Sequence, residues 1–312
     1  MRVLFTGGSS FTGFWFIKEL NKSGHEITAI YRKEKGEYEG VRKERVNLAG
    51  QFANQIFKCE FGDERFLNLV KEGKWDLLCH HAALVTGYKN LDFDFVKALA
   101  NNTREIIKII TSLKENGCSK ILLTGSVFEA NEGVGDNDLQ AFSPYGLSKT
   151  MTFEAFRFFT YKFQVKLGKF VIPNPFGPFE EPRFTNYLIK TWYEGKIPTV
   201  RTPDYVRDNI HVTLLAKAYA KFAESLSPDP GLEKLAPSGY VETQGEFAQR
   251  FANEMNKRME VDCRVNLGKQ EEFNEPLVRY NDLPAKDYVD SWDEEKAWDE
   301  IAEYYKRLYA NH

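Results

Sequence analysis

The sequence predicts an α/β fold in which helices cover both faces of a parallel, doubly wound sheet, with a smaller C-terminal lobe after it. Two observations support this fold class. Short apolar segments alternate with helix-like amphipathic segments up to about residue 173, and the first apolar segment runs directly into a glycine- and serine-rich turn. Alternation of this kind is typical of parallel sheets, because each strand needs a crossover before the next one.

The expected elements follow this alternation along the chain. The predicted strands are residues 2–6, 26–32, 75–80, 120–124 and 169–173. The predicted helices run from about Thr12 to Ser23, from about Phe93 to Asn116 and from Pro144 through Tyr161. Gly24 and Gly117 end the first two helices. We expect one domain over residues 1–172 and a second over 173–312, some segments of which return to the first.

Composition excludes several classes of partner. The chain has 312 residues and a formal net charge of -3, and it contains no long basic run. The segment Arg42-Lys43-Glu44-Arg45 is broken by an acid, and we interpret it as a solvated surface segment. Binding to nucleic acid or to an anionic membrane is therefore not expected.

The chain is expected to be cytoplasmic. It opens directly as a strand, and no apolar run approaches the ~18 residues of a membrane span. The four cysteines are far apart and suggest buried thiols in a reducing compartment; they are Cys59, Cys79, Cys118 and Cys263. Neither these cysteines nor the five histidines have metal-ligand spacing, so no metal site is expected.

The turn after the first predicted strand has the pattern of a dinucleotide-binding turn. It reads Thr-Gly-Gly-Ser-Ser-Phe-Thr-Gly over residues 6–13 and opens a helix, whose positive end favours a pyrophosphate. Ser10 stands where the middle glycine is usual, and its hydroxyl could donate to a phosphate. The alternative is an ordinary strand–turn–helix connection. The residues expected to bind the cofactor here are Gly7, Ser9, Ser10, Phe11 and Gly13.

The residues at the end of the second predicted strand indicate whether NAD or NADP is the cofactor. An acid there would bind the ribose hydroxyls of NAD. This chain has Arg32 and Lys33 instead, and its first acid is Glu34. Because cationic side chains favour a 2′-phosphate, we expect NADP(H) over NAD(H). The two charges could also be ordinary exposed residues beyond a strand.

Tyr145 and Lys149 lie four residues apart in a predicted helix. Side chains at this spacing share one helix face. A phenol and an ammonium facing a bound nicotinamide would form a proton-transfer pair, although the spacing alone is weak evidence.

Together these residues resemble the extended short-chain dehydrogenase/reductase family, the NAD-dependent epimerase/dehydratase group, over nearly the whole chain. The resemblance implies a Rossmann domain and further cofactor contacts. Asp63, in a Gly-Asp pair, would contact the adenine amine. His81, Ala82 and Ala83 match a turn beside the cofactor, and Asn102 matches an asparagine of the long central helix.

The resemblance also implies a catalytic set. Thr124, in the segment before Val127-Phe128, would hydrogen-bond the substrate oxygen, with Ser126 as the alternative if the register differs by two residues. Tyr145 would transfer the proton. Lys149 would assist it and bind the nicotinamide ribose.

Substrate contacts are implied after residue 173. Asn174, in Asn-Pro-Phe-Gly-Pro, and Arg207, in Arg-Asp-Asn-Ile-His-Val, match residues that bind the diphosphate of a nucleotide sugar. Arg183 is either another diphosphate ligand or a surface ion pair. Ser126 is included among the substrate contacts.

Gly125 and Ser126 disfavour dehydration, because a 4,6-dehydratase of this family would carry Asp-Glu at these two positions. We expect NADP(H)-dependent reduction of a nucleotide-linked 4-keto-6-deoxysugar, as in deoxysugar biosynthesis. The loop over residues 174–184 loosely resembles reductases that make dTDP-6-deoxy-talose. A 4-epimerase with bound NAD is the alternative, and a non-catalytic dinucleotide-binding regulator is the second.

An aromatic stripe follows Tyr145 in the same helix, and we interpret it as core or as a dimer face. Its members are Phe153, Phe156, Phe159, Tyr161 and Phe163. Helices of this family often pair across a dimer interface, so a homodimer is expected.

Overall fold

The computed structural model describes residues 1–88 and 90–309. Its strands are β1 Arg2–Thr6, β2 Glu26–Tyr31, β3 Asn54–Phe57, β4 Leu77–His80, β5 Lys120–Ser126, β6 Val134–Gly135, β7 Lys166–Ile172, β8 Asn174–Phe176, β9 Thr199–Val200, β10 Val206–His211, β11 Gly231–Leu235, β12 Pro237–Ser238, β13 Tyr240–Thr243, β14 Asn266–Leu267, β15 Val278–Tyr280 and β16 Leu283–Pro284. Its α-helices are α1 Phe11–Lys22, α2 Gly40–Ala49, α3 Glu64–Glu72, α4 Phe95–Asn102, α5 Ile106–Glu115, α6 Pro144–Phe163, α7 Phe184–Tyr193, α8 Val212–Ser225, α9 Gln244–Asn256, α10 Ala285–Tyr288 and α11 Glu294–Tyr309. A short 3₁₀ helix covers Lys35–Glu37.

The chain divides into two compact units. The first comprises residues 1–132, 139–172 and 216–236, and the second comprises 133–138, 173–215 and 237–312. Along the part of the chain that the structure describes, no helix is both long and apolar enough to cross a bilayer.

The first unit is built on a seven-stranded sheet in the order β11-β7-β5-β4-β1-β2-β3. Every neighbouring pair in this order is parallel. The sheet confirms the predicted doubly wound α/β fold. The strand order reverses at β1 and β4, which is where ligands bind in folds of this type.

Side chains alternate between the two faces of this sheet, as the period of a strand requires. On one face Leu4, Leu78 and Ile121 pack with helices α3, α5 and α6. On the other face Phe16 of α1 stacks on Tyr219 of α8, with ring centroids 3.9 Å apart. The sheet is thus buried on both faces, which explains its near-continuous apolar strands.

The prediction of one long helix over residues 93–116 is wrong, because the structure divides this segment into α4 and α5. The Asn102 carbonyl lies 3.0 Å from His80 Nε2, which takes the oxygen out of the helical ladder. Glu105 then adopts the left-handed conformation with φ 54°. The turn also lies against Gly62, whose Cβ, if present, would be 2.3 Å from the Arg104 carbonyl oxygen. A side chain that inserts into the ladder is a recognised cause of a helix break.

The second unit has a smaller mixed sheet. Its path is β13-β10-β15-β6, and β8 also pairs with β10. An aromatic core packs between this sheet and helices α9 and α11, with Phe176 close to Phe247 and Trp298 at centroid distances of 5.0 and 5.5 Å.

Candidate active site

The switch point of the large sheet is held together by Thr6, the last residue of β1. Its hydroxyl accepts hydrogen bonds from the backbone N–H groups of His81 at 3.1 Å and Ala82 at 2.9 Å. It also lies 3.1 Å from His80 Nδ1. These contacts fix the turn after β4, which includes His81, Ala82 and Ala83, against the end of β1.

The glycine turn can bind a dinucleotide closely because it has no room for side chains. Gly7 has φ +83°, and a Cβ there would lie 2.8 Å from the Ala82 nitrogen. A Cβ on Gly13 would lie 2.4 Å from the Gly7 carbonyl oxygen. The turn leads into α1, so exposed backbone and a positive helix end coincide, as a pyrophosphate requires. The residues present therefore fit a nicotinamide dinucleotide.

The Ser10 hydroxyl, which was expected to donate to a phosphate, is engaged within the turn in this structure. Ser10 is the N-cap of α1, where its Oγ accepts the Gly13 N–H at 3.1 Å and donates to the Gly7 carbonyl at 2.9 Å. His81 Nε2 is also 2.9 Å away. A serine hydroxyl has one proton, so these inward partners use it. The contact of Ser10 with a cofactor stays a prediction.

His81 joins the first turn of α1 to the end of β5. Its Nε2 lies 3.1 Å from the Thr12 hydroxyl as well as close to Ser10, and its Nδ1 lies 3.0 Å from the Thr124 hydroxyl. Burial of the ring is the main cause that lowers the pKa of His81 to about 3, and the positive charge of Lys149 adds to it. The imidazole is therefore neutral near pH 7, and its role here is to connect three hydroxyl groups.

The two hydroxyl candidates of β5 have different surroundings. Thr124 is only 4% exposed, and its hydroxyl is turned to His81. Ser126 lies at the end of the strand and is half-buried, and its hydroxyl accepts the Phe128 N–H at 3.2 Å. The Thr124 hydroxyl is thus engaged with His81 in this structure, and its expected catalytic role stays a prediction. Of the two, Ser126 has the more accessible hydroxyl.

Helix α6 carries both residues of the proton-transfer pair. Ser143 caps it and Pro144 occupies its first turn. Gly146 lets the helix approach the loop after β5, since a Cβ there would lie 2.3 Å from the Phe128 carbonyl oxygen. The half-buried Tyr145 ring makes edge contacts with Tyr88 and Phe93, at centroid distances of 5.6 and 6.0 Å.

Lys149 is buried one helical turn beyond Tyr145. Its ammonium donates a 2.6 Å hydrogen bond to the Thr124 carbonyl oxygen. Burial is the main cause that lowers the pKa of Lys149; the negative charge of Glu129 opposes the change, and the positive charge of Lys169 adds to it.

The aromatic stripe beyond Tyr145 and Lys149 is divided between core and surface. Phe153 and Phe156 are in the core, whereas Tyr161 is 70% exposed.

Two expected cofactor contacts have clear roles within the first unit. Asp63 caps α3, and its two carboxylate oxygens accept the N–H groups of Phe66 and Glu60, each at 2.7 Å. The Asn102 amide is buried between the Thr152 hydroxyl and the Leu84 N–H, each at 3.3 Å. Their contacts with a cofactor stay predictions.

The end of β2 has the charges that were expected there. Arg32 and Lys33 are exposed, and Glu34 forms a 2.5 Å ion pair with Lys58. Tyr31 is buried beneath the glycine turn, where a Cβ on Gly8 would meet its hydroxyl at 3.0 Å.

The prediction that residues 42–45 form a solvated surface segment is wrong for Arg45. The first three residues of the segment are exposed, but Arg45 is fully buried and its Nε donates to the Ser9 carbonyl at 3.1 Å. Phe11 is also buried. A guanidinium thus supports the glycine turn from α2. The sequence carries no signal that separates Arg45 from its exposed neighbours.

In the second unit, two neighbouring asparagine amides lack partners. Asn174 of β8 is paired in register with Asn209 of β10. The Nδ2 atom of each is buried and has no hydrogen-bond partner among the residues that the structure describes. Buried donors without an acceptor are costly, so these amides suit ligand oxygen atoms. Asn209 was not expected to be a site residue, because it occupies the variable position of its motif.

The two arginines expected in the substrate site differ in exposure. Arg207 is buried, and its guanidinium pairs with Glu275 at 2.9 Å and donates to the carbonyls of Val206 and Leu277. Arg183 is exposed at the start of α7. Its role as a diphosphate ligand or a surface ion pair stays a prediction.

A doubly wound sheet, a glycine turn at its switch point and a Tyr–Lys pair on the adjacent helix define the extended short-chain dehydrogenase/reductase class. Within it, the chain belongs to the NAD dependent epimerase/dehydratase family, whose model matches residues 3–232.

Relatives and solved structures agree with this family. The chain is 26% identical to a dTDP-6-deoxy-L-talose 4-dehydrogenase (NAD(+)) of Aggregatibacter actinomycetemcomitans, over 50% of this chain and 54% of the relative. It is 25% identical to a UDP-glucose 4-epimerase of Cyamopsis tetragonoloba, over 50% of this chain and 46% of the relative. The matches thus span about half of these relatives. A UDP-glucuronic acid 4-epimerase from Bacillus cereus, in complex with UDP-glucuronic acid and NAD, has the same fold, with a TM-score of 0.76 at 17% identity over 99% of this chain and 100% of that one.

Proposed function

We propose that this protein is an NADP(H)-dependent oxidoreductase that reduces the 4-keto group of a nucleotide-linked 4-keto-6-deoxysugar. The observation that carries the proposal is the position of Lys149. Its buried ammonium is fixed to the end of β5, one helical turn from the Tyr145 phenol. A nicotinamide dinucleotide supplies the hydride when it is bound.

The residues of the chain handle the proton. Tyr145 gives its phenolic proton to the substrate oxygen as that oxygen gains charge. A phenol is a weak acid, with an ordinary pKa of about 10, and a nearby ammonium favours its phenolate. Lys149 provides this ammonium and binds the nicotinamide ribose. Ser126 hydrogen-bonds the same substrate oxygen and orients it, and Thr124 supports the strand beneath.

Dehydration is disfavoured by the surroundings of Gly125. A Cβ at this position would lie 2.8 Å from Lys169 Cε and 3.1 Å from Glu129 Oε1. An acidic side chain here, as a 4,6-dehydratase would need, would have to displace the paired side chains of Lys169 and Glu129. Hydride and proton transfer at one carbon remain the supported chemistry.

The proposed preference for NADP(H) rests on Arg32 and Lys33. Both side chains are exposed at the end of β2, while the nearest acid, Glu34, pairs with Lys58. The end of β2 thus offers two cations to a 2′-phosphate. Ala82, Ala83, Asp63 and Asn102 complete the proposed cofactor site.

The proposed substrate is suggested by the relatives and by the second unit. The Aggregatibacter relative is a dTDP-6-deoxy-L-talose 4-dehydrogenase, which acts on a sugar of the proposed kind. Asn174, Asn209, Arg207 and Arg183 supply amide and guanidinium donors for a diphosphate.

A 4-epimerase with bound NAD is the second candidate, supported by the Cyamopsis relative and the Bacillus structure. The two candidates differ in whether reductant is consumed. Purified protein is incubated with NADPH and a panel of dTDP-, GDP-, CDP- and UDP-4-keto-6-deoxysugars, and separately with UDP-glucose and no reductant. Consumption of NADPH, with a C4 alcohol identified by NMR, supports the reductase. Interconversion of UDP-glucose with its 4-epimer, without reductant, contradicts it.

We also propose a homodimer formed through α6. Exposed apolar side chains recur along this helix at Leu147, Met151 and Phe158, and Ile107 of α5 is exposed as well. The first three share one helix face. Light scattering should give twice the chain mass, and Phe158→Glu should reduce it to one chain mass.

A further inference from the structure

Glu129 is a buried carboxylate that the proposed mechanism does not yet use. It lies in the loop after β5 and is fully buried. Its Oε1 accepts the Ser126 N–H at 2.7 Å, and its Oε2 pairs with Lys169 Nζ at 2.6 Å. A buried carboxylate must be paired to stay charged, and Lys169 is the partner of Glu129.

The charge of Glu129 is placed beside the proposed active site by the end of β5. This strand continues past its last pair with β4, which joins His80 to Leu123. Side chains then bind its backbone: Lys149 binds the Thr124 carbonyl and Glu129 binds the Ser126 N–H. The ammonium and the carboxylate therefore hold the same short stretch of strand.

Lys149 is surrounded by groups of different charge. Lys169 of β7 repels the ammonium, whereas Glu129 attracts it. His80 and His81, at the end of β4, are neutral near pH 7 because burial lowers the pKa of each to about 3. On α6 itself, the neighbouring titratable group is the phenol of Tyr145.

The positive charge of Lys169 is also balanced by a second carboxylate, that of Glu132. Glu132 pairs with Lys169 at 2.8 Å and with Lys234 at 3.2 Å. Lys234 is half-exposed, so this row of alternating charges reaches the surface. Glu132 therefore acts mainly on Lys169, and Glu129 is the carboxylate whose charge favours the Lys149 ammonium.

We propose that Glu129 is a positioning residue that keeps the buried Lys149 protonated, so that its ammonium can act on the Tyr145 phenol. Loss of the Glu129 charge removes the attraction that opposes burial and leaves the repulsion from Lys169 in place. The consequence for catalysis rests on the proposed function, but the charge coupling can be measured without it.

The test is an NMR titration of Lys149 in the full chain labelled with ¹³C-lysine. The Lys149 signal is assigned as the one that is missing from the spectrum of Lys149→Met. Glu129→Gln should move the titration midpoint of Lys149 to lower pH by on the order of one pH unit. Lys169→Met should move it to higher pH. Glu132→Gln is the matched control, which removes a buried carboxylate from the far side of Lys169 and should have a smaller effect.

A midpoint unchanged by Glu129→Gln, or moved equally by Glu132→Gln, overturns the proposal. If Glu129→Gln does not fold, the double variant Glu129→Gln/Lys169→Met removes the unbalanced cation as well. Its midpoint should lie below that of Lys169→Met, and equal midpoints overturn the proposal.

Activity distinguishes this failure from failure of the proposed function. In the reductase assay, Glu129→Gln should shift the alkaline limb of kcat/KM to lower pH, and Glu129→Asp should restore it. An inactive wild type with normal Lys149 coupling contradicts the proposed function alone. An active wild type with the same pH profile as Glu129→Gln contradicts the role of Glu129 alone.

Discussion

The Lys149 ammonium is hydrogen-bonded to the Thr124 carbonyl oxygen at 2.6 Å. This side chain of helix α6 is therefore attached to the backbone of strand β5 and not to the Thr124 hydroxyl. The hydroxyl itself is directed to His81. This division of contacts separates the position of Lys149 from the identity of residue 124. It therefore changes which hydroxyl group is expected to act on the substrate.

Replacement of Lys149 tests the ammonium directly. Lys149→Met removes the charge and the bond to Thr124, so we expect kcat/KM for keto-sugar reduction to fall by about 10²–10⁴-fold. Lys162→Met, an exposed change on the same helix, is the control and should leave the rate unchanged. Equal rates for the two variants would exclude a catalytic role for Lys149.

The two hydroxyl candidates can be separated by their different effects. Ser126→Ala should lower kcat/KM by roughly 10²-fold, because it removes a contact with the substrate. It should also cost about 1 kcal/mol of stability, because the Phe128 N–H loses its acceptor. Thr124→Val leaves His81 Nδ1 without its hydroxyl partner, while Nε2 keeps Ser10 and Thr12, and should destabilise the fold by about 1–3 kcal/mol. We expect its kcat/KM to stay within a few-fold of wild type. The reverse pattern in kinetics and urea unfolding would restore Thr124 as the catalytic hydroxyl.

Cofactor choice should depend on the end of β2. Arg32→Ala removes one exposed cation and should weaken NADPH binding by roughly 10-fold, while NADH binding is little changed. Arg42→Ala, also exposed but in α2, is the control. Fluorescence titration of both dinucleotides measures the ratio. Tighter binding of NADH by the wild type would show that the NADP(H) prediction is wrong.

His81 should make the fold sensitive to acid. Its folded-state pKa of about 3 is depressed below the ordinary value of 6.5. The unfolded chain therefore takes up a proton between these values, and stability that is present above pH 6.5 is lost as the pH falls towards 3. His81→Asn should remove this contribution, which is at most about 1.4 kcal/mol per pH unit. Parallel slopes of unfolding free energy against pH in both proteins would contradict it.

The fold could be predicted from the sequence because its signals are local and repeated. Apolar strands, the glycine turn and the Tyr145–Lys149 spacing each follow from a few adjacent residues. The helix break at Asn102 could not, because it depends on a bond with His80 from another strand. The inward turn of Ser10 depends on His81 in the same way.

Charged residues show this limit most clearly. Arg45 was predicted to be solvated and Glu129 was not singled out in the sequence, yet both are fully buried. Each is buried because its partner comes from elsewhere in the fold: the Ser9 carbonyl for Arg45, and Lys169 for Glu129. Spacing along the chain contains no information about such partners.

The most direct test of the central claim follows the hydride. The wild type and Tyr145→Phe are incubated with the active keto-sugar nucleotide from the panel and with NADPH deuterated at the transferring position of C4. We predict that the wild type gives a product alcohol carrying deuterium at the sugar C4, and that Tyr145→Phe forms it at least about 10²-fold more slowly. Product without deuterium, or equal rates for the two proteins, would contradict net reduction by a Tyr145-dependent mechanism.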